Sequence, residues 1–290
     1  MNSSATLSCA NKLSPGEQSA LINLLADEDP AVYGPVRKKI LSLGPEAGEW
    51  LRPHTLSSDP VLRRHALEII GWFGRQRADD DFLSFCLKHG EDFGLEKAAW
   101  LLARTAHPEI NVEAYAALLD SYASDLRERM NFDAGGEPIL TAINQFLFRD
   151  LGFAGNEKNY YEPDNSYLNR VLDRRTGNPI NLSLLYLLLA RRLGLPVVGV
   201  GMPGHFICRY QSSAEEFYID PFNRGQLLTK ADCVQYLQRG NYSLSEDFLS
   251  PVSARRMFLR ICSNLHQIYT ELGLREETTR FQRYLVALAR

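Results

Sequence analysis

No Cys-x-x-Cys pair occurs in this chain. Its five cysteines, Cys9, Cys86, Cys208, Cys233 and Cys262, are odd in number and scattered. That argues against a disulfide framework and fits reduced thiols of a cytosol. Basic charge is not in excess either. The net charge is −3, whereas a nucleic-acid protein carries a basic footprint, so no nucleic-acid partner is expected. The pairs Arg174–Arg175 and Arg191–Arg192 read as solvated helix ends. There is no glycine-rich phosphate loop: "GVGMPG" breaks the dinucleotide spacing and leads into another strand. Long apolar runs are missing as well. The longest, residues 180–190, falls short of the roughly 20 residues a bilayer requires, so no membrane segment is expected. The opening "MNSSATLSCANKLSPGEQ" has neither a basic start nor an apolar stretch, unlike a secretory signal. A soluble cytoplasmic protein is the expectation.

What is present begins as helices. "DPVLRRHALEIIGWF" places Leu62, Ala66, Ile69, Ile70 and Phe73 on one face, and "VEAYAALLDSYASDL" does the same with Val112, Tyr115, Ala116, Leu119, Tyr122 and Leu126. Asp29-Pro30 and Asp59-Pro60 each put Asp at an N-cap and Pro at the first helical position, where the missing N–H costs nothing. Their separation of thirty residues is within the range of helical-hairpin repeats of HEAT type. An irregular helical bundle accounts for the same pattern. "MNFDAGGEP" then punctuates the chain.

Beyond it the pattern changes. A helix opens at "EPILTAINQFLF", a polar and aromatic loop "GFAGNEKNYYEPD" follows, and "NSYLNRVLDRR" gives a short helix. Residues 179–193 form a helix that is apolar nearly all round, with seven leucines, and belong at the centre of a domain. Strands are predicted at 197–200, 205–210 and 216–220. "TKAD" reads as a capping box. Two amphipathic helices end the chain, with Gly273 as the stop between them.

Central helix, strand bearing His205, strand ending in Asp220: in this order the chain resembles a papain-like or transglutaminase-like core. Within that superfamily it resembles the SirB-type branch, on "GFAGNEKNYYEPDNSYLNRVLDRRTGNPINLSLLYLLLARRLGLP", "GVGMPGHFICRY" and "IDPFNRGQLLT", over residues 152–229. The resemblance implies an α+β fold, with a central buried helix against an antiparallel sheet. Three parts are expected: an all-helical, HEAT-like region at 1–134, the transglutaminase-like core at 135–250, and a tetratricopeptide-like hairpin at 251–290.

In such a core the resemblance implies a cysteine at the N-terminus of the buried helix, where unpaired N–H groups and the macrodipole favour a thiolate. A histidine acts as base and an aspartate orients it. Carried over, the base is His205 and its orienter Asp220, while the nucleophile position falls at or next to Pro179, which has no nucleophile to offer. Cys208 points to the opposite strand face from His205, Ser183 lies a turn inside the helix, and Cys233 belongs to a different helix. Structural readings stand beside these. His205 after Pro203-Gly204 satisfies backbone at a strand start, Asp220 before Pro221 opens a turn, and Asn178-Pro179 is a helix cap. His205, Asp220 and Cys208 do not converge, so neither a metal nor another cofactor is expected. The expected function is a non-catalytic transglutaminase-like module with a protein or peptide partner. The alternative is an amide hydrolase or acyl transferase using His205 and Asp220 with another nucleophile or an activated water.

Overall fold

The computed structural model describes residues 13–90, 93–242 and 246–290. Cys9 and most of the N-terminal stretch discussed above lie outside them. Two compact units divide the chain, Met1–Ala78 and Asp79–Arg290.

The first unit contains α1 (Pro15–Leu25), α2 (Pro30–Ser42), α3 (Ala47–Leu51) and the start of α4 (Pro60–Lys88). Both Asp-Pro signals act as read from the sequence. Asp29 accepts from the Ala31 N–H, Asp59 accepts from the N–H groups of Val61 and Leu62, and Pro30 and Pro60 open their helices. Leu25, Val36, Ile40, Leu51, Ile69 and Phe73 form this unit's own core.

The second unit holds the rest of α4, then α5 (Leu95–Ala106), α6 (Val112–Arg129), α7 (Gly136–Asn144) and α8 (Leu168–Arg174). At its centre is α9 (Pro179–Arg192). The Asn178 side chain caps α9, Pro179 fills its first position, and every residue from Pro179 to Ala190 is buried. Burial on all sides is what a leucine-rich helix without a polar face requires. Two short strands, β1 (Ala154–Gly155) and β2 (Thr176–Gly177), pair in parallel beside it.

Four antiparallel strands follow in the order β3 (Val197–Val200), β4 (Ile207–Gln211), β5 (Glu216–Asp220) and β6 (Gln226–Leu228). Alternation gives the sheet two apolar faces. Phe206, Cys208, Tyr210 and Ile219 join the cluster around α9. Ile207 and Tyr218 face the other way, into a smaller cluster with Val200, Met202 and Cys233. Cys233 is carried by α10 (Lys230–Arg239), whose capping box pairs Thr229 with Asp232 as "TKAD" suggested. The hairpin of α11 (Ala254–Glu271) and α12 (Arg275–Leu288) completes an α+β unit, with Gly273 at φ 70° in the turn.

Hydrophobic burial does not divide this unit at Gly135. Gly135 does turn the chain, at φ 89°. One cluster nevertheless runs from Phe82 and Phe85 through Trp100 and Leu119 to Ile143, Leu185, Phe258 and Phe281. The helices before the turn and the C-terminal hairpin therefore share the core of the sheet and α9. Sequence punctuation marked a change of local pattern, whereas packing depends on which apolar faces meet.

Arg255 fastens the two ends of the unit. It is 6% exposed, and its guanidinium donates to the carbonyls of Cys86, His89, Ala287 and Leu288. These carbonyls sit at the C-terminal ends of α4 and α12, where unpaired C=O groups and the macrodipole favour a cation. Arg255→Met keeps the volume but strands the carbonyls. A loss of about 3–5 kcal/mol is expected, read as a drop in Tm of roughly 10 °C. An unchanged melting curve would contradict this account.

Candidate active site

The site starts from the N-terminus of α9. Asn178 Oδ1 accepts from the Asn181 N–H at 3.0 Å, and Asn178 Nδ2 donates to Ser166 Oγ at 2.9 Å. Asn165 donates to the carbonyls of Asn159 and Tyr160 and accepts from Asn156 at 2.9 Å. Asn165, Ser166, Asn178 and Asn181 are all buried, so their mutual bonding is what makes their burial affordable. Through them the "NEKNYYEPD" loop is stitched to the helix start, and Tyr160 is held in place.

Pro179 lines a cleft of about 500 Å³ together with Tyr160, His205, Asp220, Phe222 and Tyr236. His205 sits just ahead of β4 rather than on it. Pro203 has no N–H to pair, Gly204 takes φ 71°, and the His205 N–H closes the turn on the Met202 carbonyl. The predicted strand start at 205 is thus two residues early.

His205 Nε2 and Asp220 Oδ2 are 2.7 Å apart. Asp220 is 4% exposed and also accepts from the N–H groups of Phe222 and Asn223 and from Asn223 Nδ2. Burial acts to raise the Asp220 pKa, but the His205 contact and the Asn223 hydrogen bonds outweigh it and hold the carboxyl below its ordinary value. The carboxylate is ionised, so His205 Nε2 carries the proton of that bond and Nδ1 is the imidazole's other nitrogen. Phe222 meets the His205 ring edge-on at 6.2 Å, and Tyr236 lies tilted against it by 40° at 5.9 Å.

This arrangement ties stability to pH. A carboxyl with a lowered folded-state pKa contributes fully above its unfolded value of 3.8 and loses that contribution as pH falls through the folded-state value. Asp220→Asn is expected to cost about 1–3 kcal/mol at neutral pH. The gap to the wild-type chain should close below about pH 4. Denaturant unfolding at several pH values checks it, and a gap independent of pH would refute it.

Pro179, His205 and Asp220 are thus brought to one cleft, and no nucleophile stands among them. Cys208 lies on the other face of the sheet, its thiol directed at the Ser183 carbonyl at 3.7 Å, and burial pushes its pKa far up. Ser183 is fully buried and donates to the Phe206 carbonyl. Cys233 departs from expectation: although it belongs to α10, the structure brings it into the lining of the cleft. Its side chain is nonetheless buried, and burial, helped by Asp232 and Asp220, pushes its thiol up to about 12. Burial likewise raises Cys86 to about 12 and Cys262 well above its ordinary value. Among the described residues, no three His, Cys, Asp or Glu side chains are grouped as a metal would need.

Sequence reading missed Tyr160, Phe222 and Tyr236 as parts of the site. The available signal was the pair of aromatics in "NYYEPD" and the Phe directly after Asp220-Pro221. Gly155 gives a further clue: a Cβ there would come within 2.6 Å of the Phe222 ring, so the absence of a side chain lets that ring lie against β1.

A His–Asp pair beside a sheet, facing the N-terminus of a buried helix, defines the layout of the papain-like and transglutaminase-like class. The family model described as transglutaminase-like superfamily matches residues 113–263, more than half of the sequence, and the chain belongs to that family. Among curated proteins, a UPF0162 protein of Xylella fastidiosa is 36% identical over 62% of this chain and 66% of its own length. F-box only protein 21 of Mus musculus is 38% identical over 48% of this chain and 22% of its own length. A UPF0162 protein of Vibrio cholerae is 26% identical over 51% of this chain and 55% of its own length. The chain therefore spans just under two thirds of the first of these relatives and far less of the F-box protein. No solved structure matches it. No helix among the described residues is long and apolar enough to cross a membrane.

Proposed function

We propose that this chain is a cytoplasmic protein-binding module on a transglutaminase-like fold, keeping the layout of the catalytic cleft without a nucleophile. One observation carries the reading. The first residue of α9, which shares the cleft with the His205–Asp220 pair, is Pro179. The cysteines of the described residues add support, since all four are buried and burial holds their thiols protonated. Thiols in that state are poor nucleophiles. The likeness to F-box only protein 21 also fits a role in protein interaction, with the flanking helices supplying surface.

A rival reading has its own support. The ionised Asp220 orients His205 as it would for a base that activates water, which an amide hydrolase or acyl transferase could use. The test offers the chain a glutamine-containing protein with a fluorescent primary amine, and separately a panel of peptide amides. Neither amine incorporation nor amide cleavage above the protein-free control is expected. Turnover that His205→Ala and Asp220→Ala each abolish would establish the rival.

A further inference from the structure

Two arginines of α11 are withdrawn from water, and their bonding differs. Arg255 commits its guanidinium to four carbonyls. Arg260 is half-buried and has one acceptor, the Met202 carbonyl, at 2.8 Å from Nη1. The buried ring of Phe206 closes one side of it, with the guanidinium carbon 5.8 Å from the ring centre. Arg192 is paired with both Glu96 and Asp120, whereas no carboxylate among the described residues forms an ion pair with Arg260. Its Nε and Nη2 make no hydrogen bond to the described residues, yet neither is buried, so both reach solvent.

The surroundings put this guanidinium at the cleft of His205. Three ring contacts run in series, Tyr160 to Phe222 at 6.0 Å, Phe222 to His205 at 6.2 Å and His205 to Tyr236 at 5.9 Å. All four side chains line the cleft. Arg260 interacts electrostatically with both ends of this arc, Tyr160 and Tyr236. Its acceptor, Met202, lines the same cleft, and the Met202 carbonyl also takes the His205 N–H at 3.2 Å. One carbonyl thus holds both the guanidinium and the turn that carries His205.

The cation is poorly compensated. Burial pulls the Arg260 pKa below its ordinary value, and the groups acting against that are the hydroxyls of Tyr160 and Tyr236, which burial keeps protonated and uncharged. The carboxylates that line the cleft are engaged elsewhere. Asp220 accepts from His205, Asn223 and two backbone N–H groups, and Asp232 from the backbone and hydroxyl of Thr229. A desolvated charge without a counterion is unfavourable until an anion joins it. The selection rests on this one guanidinium and not on the net charge of the cleft, to which Arg239 and both aspartates also contribute. A planar guanidinium with N–H groups to spare matches the two oxygens of a carboxylate.

We propose that Arg260 anchors a carboxylate-binding subsite at the edge of the His205 cleft. A side-chain or C-terminal carboxylate of a bound peptide completes the bonding of the guanidinium, and the apolar part of the peptide lies against Tyr160, Phe222 and Tyr236. This rests on the peptide-binding reading above and names the group that is recognised.

Titration of the full chain, followed by NMR, tests it with three acetylated tripeptides of one apolar sequence. One ends in a free carboxylate, one is amidated, and one is amidated with an aspartate in the middle. At least one of the two carboxylate peptides should bind about tenfold more tightly than the plain amide, and which of them does so distinguishes a terminal from a side-chain source. Arg260→Gln should bring its affinity down to that of the amide. Arg260→Lys keeps the charge without the two-pronged geometry and should retain a preference of about two- to threefold. Arg256→Gln, at an exposed position of the same helix, should change nothing. Thermal unfolding checks that each variant is folded. If Arg260→Gln is not, the lysine variant decides, and an undiminished preference there overturns the proposal. It is overturned equally if the plain amide binds as tightly as both carboxylate peptides, a result that spares the broader peptide-binding reading. A preference that survives in folded Arg260→Gln overturns it too, as does inorganic phosphate displacing the carboxylate peptides at lower concentration than acetate does. If none of the three peptides binds, the subsite and the peptide-binding reading fall together.

Discussion

Pro179→Cys converts the cleft into a thiolate site. The introduced thiol stands at the first position of α9, a helix of fourteen residues whose cap, Asn178, is untouched by the change. There the helix dipole favours the anion, and the imidazole of His205, which lines the same cleft, is placed to take up the thiol's proton; such environments bring a thiol from about 8.5 down to between roughly 3.5 and 7.5. At pH 7 an alkylating reagent should modify it about tenfold faster than an unperturbed thiol. Cys86, Cys208, Cys233 and Cys262, all buried, should label only as the chain opens. Adding His205→Ala should slow the reaction at the new site and shift its pH profile upward, because the partner that stabilises the thiolate is gone. Peptide mapping by mass spectrometry across pH 5–9 reads both effects. A new thiol no faster than a free one, indifferent to His205, would make His205 a structural residue and reduce the kinship with an active site to fold alone.

The second large effect concerns where the chain can be cut. A chain beginning at residue 135 should not fold. It loses Phe82, Phe85, Trp100, Leu119 and Leu126 from the cluster that surrounds α9. At roughly 2 kcal/mol for each large side chain, that is about 10 kcal/mol, the size of a whole domain's stability. It also strips Arg255 of the Cys86 and His89 carbonyls and Arg192 of Glu96 and Asp120. A chain of residues 79–290 keeps all of these and should melt cooperatively. Circular dichroism and thermal unfolding separate the two. A cooperative melt from the 135 start would show that the helices before Gly135 are dispensable, and would restore the boundary that the glycine pair suggests.

What could be read from the sequence was whatever a few neighbouring residues decide. Asn178-Pro179 with its leucine run describes the capped and buried helix α9, because cap and first-turn geometry involve only positions close in the chain. Asp59-Pro60, the Thr229–Asp232 capping box and the turn at Gly273 were legible for the same reason. Alternation along a predicted strand at 205–210 put Cys208 on the face opposite to His205; the two are indeed apart, although His205 stands in the turn ahead of β4 rather than on the strand. The strand β6 was not legible. Its three residues carry no period of their own and pair only because the turn after Asp220 returns them to β5 in register, Ile219 against Leu227.

Sequence alone therefore determined the central helix, the order of helix and strands, and the residue types available for chemistry, proline included. Tertiary structure decided which of them meet. Tyr160 reaches the cleft because buried asparagines bind its loop to the start of α9, and Phe222 because Gly155 leaves it room. Cys233 arrives on α10, yet burial keeps its thiol protonated. Fusion of the helices before Gly135 into the core was decided by apolar faces far apart in the chain. The physical reason is common to all of these: capping and periodicity are properties of a few consecutive residues, whereas a cleft and a core are sums over surfaces that only folding brings together.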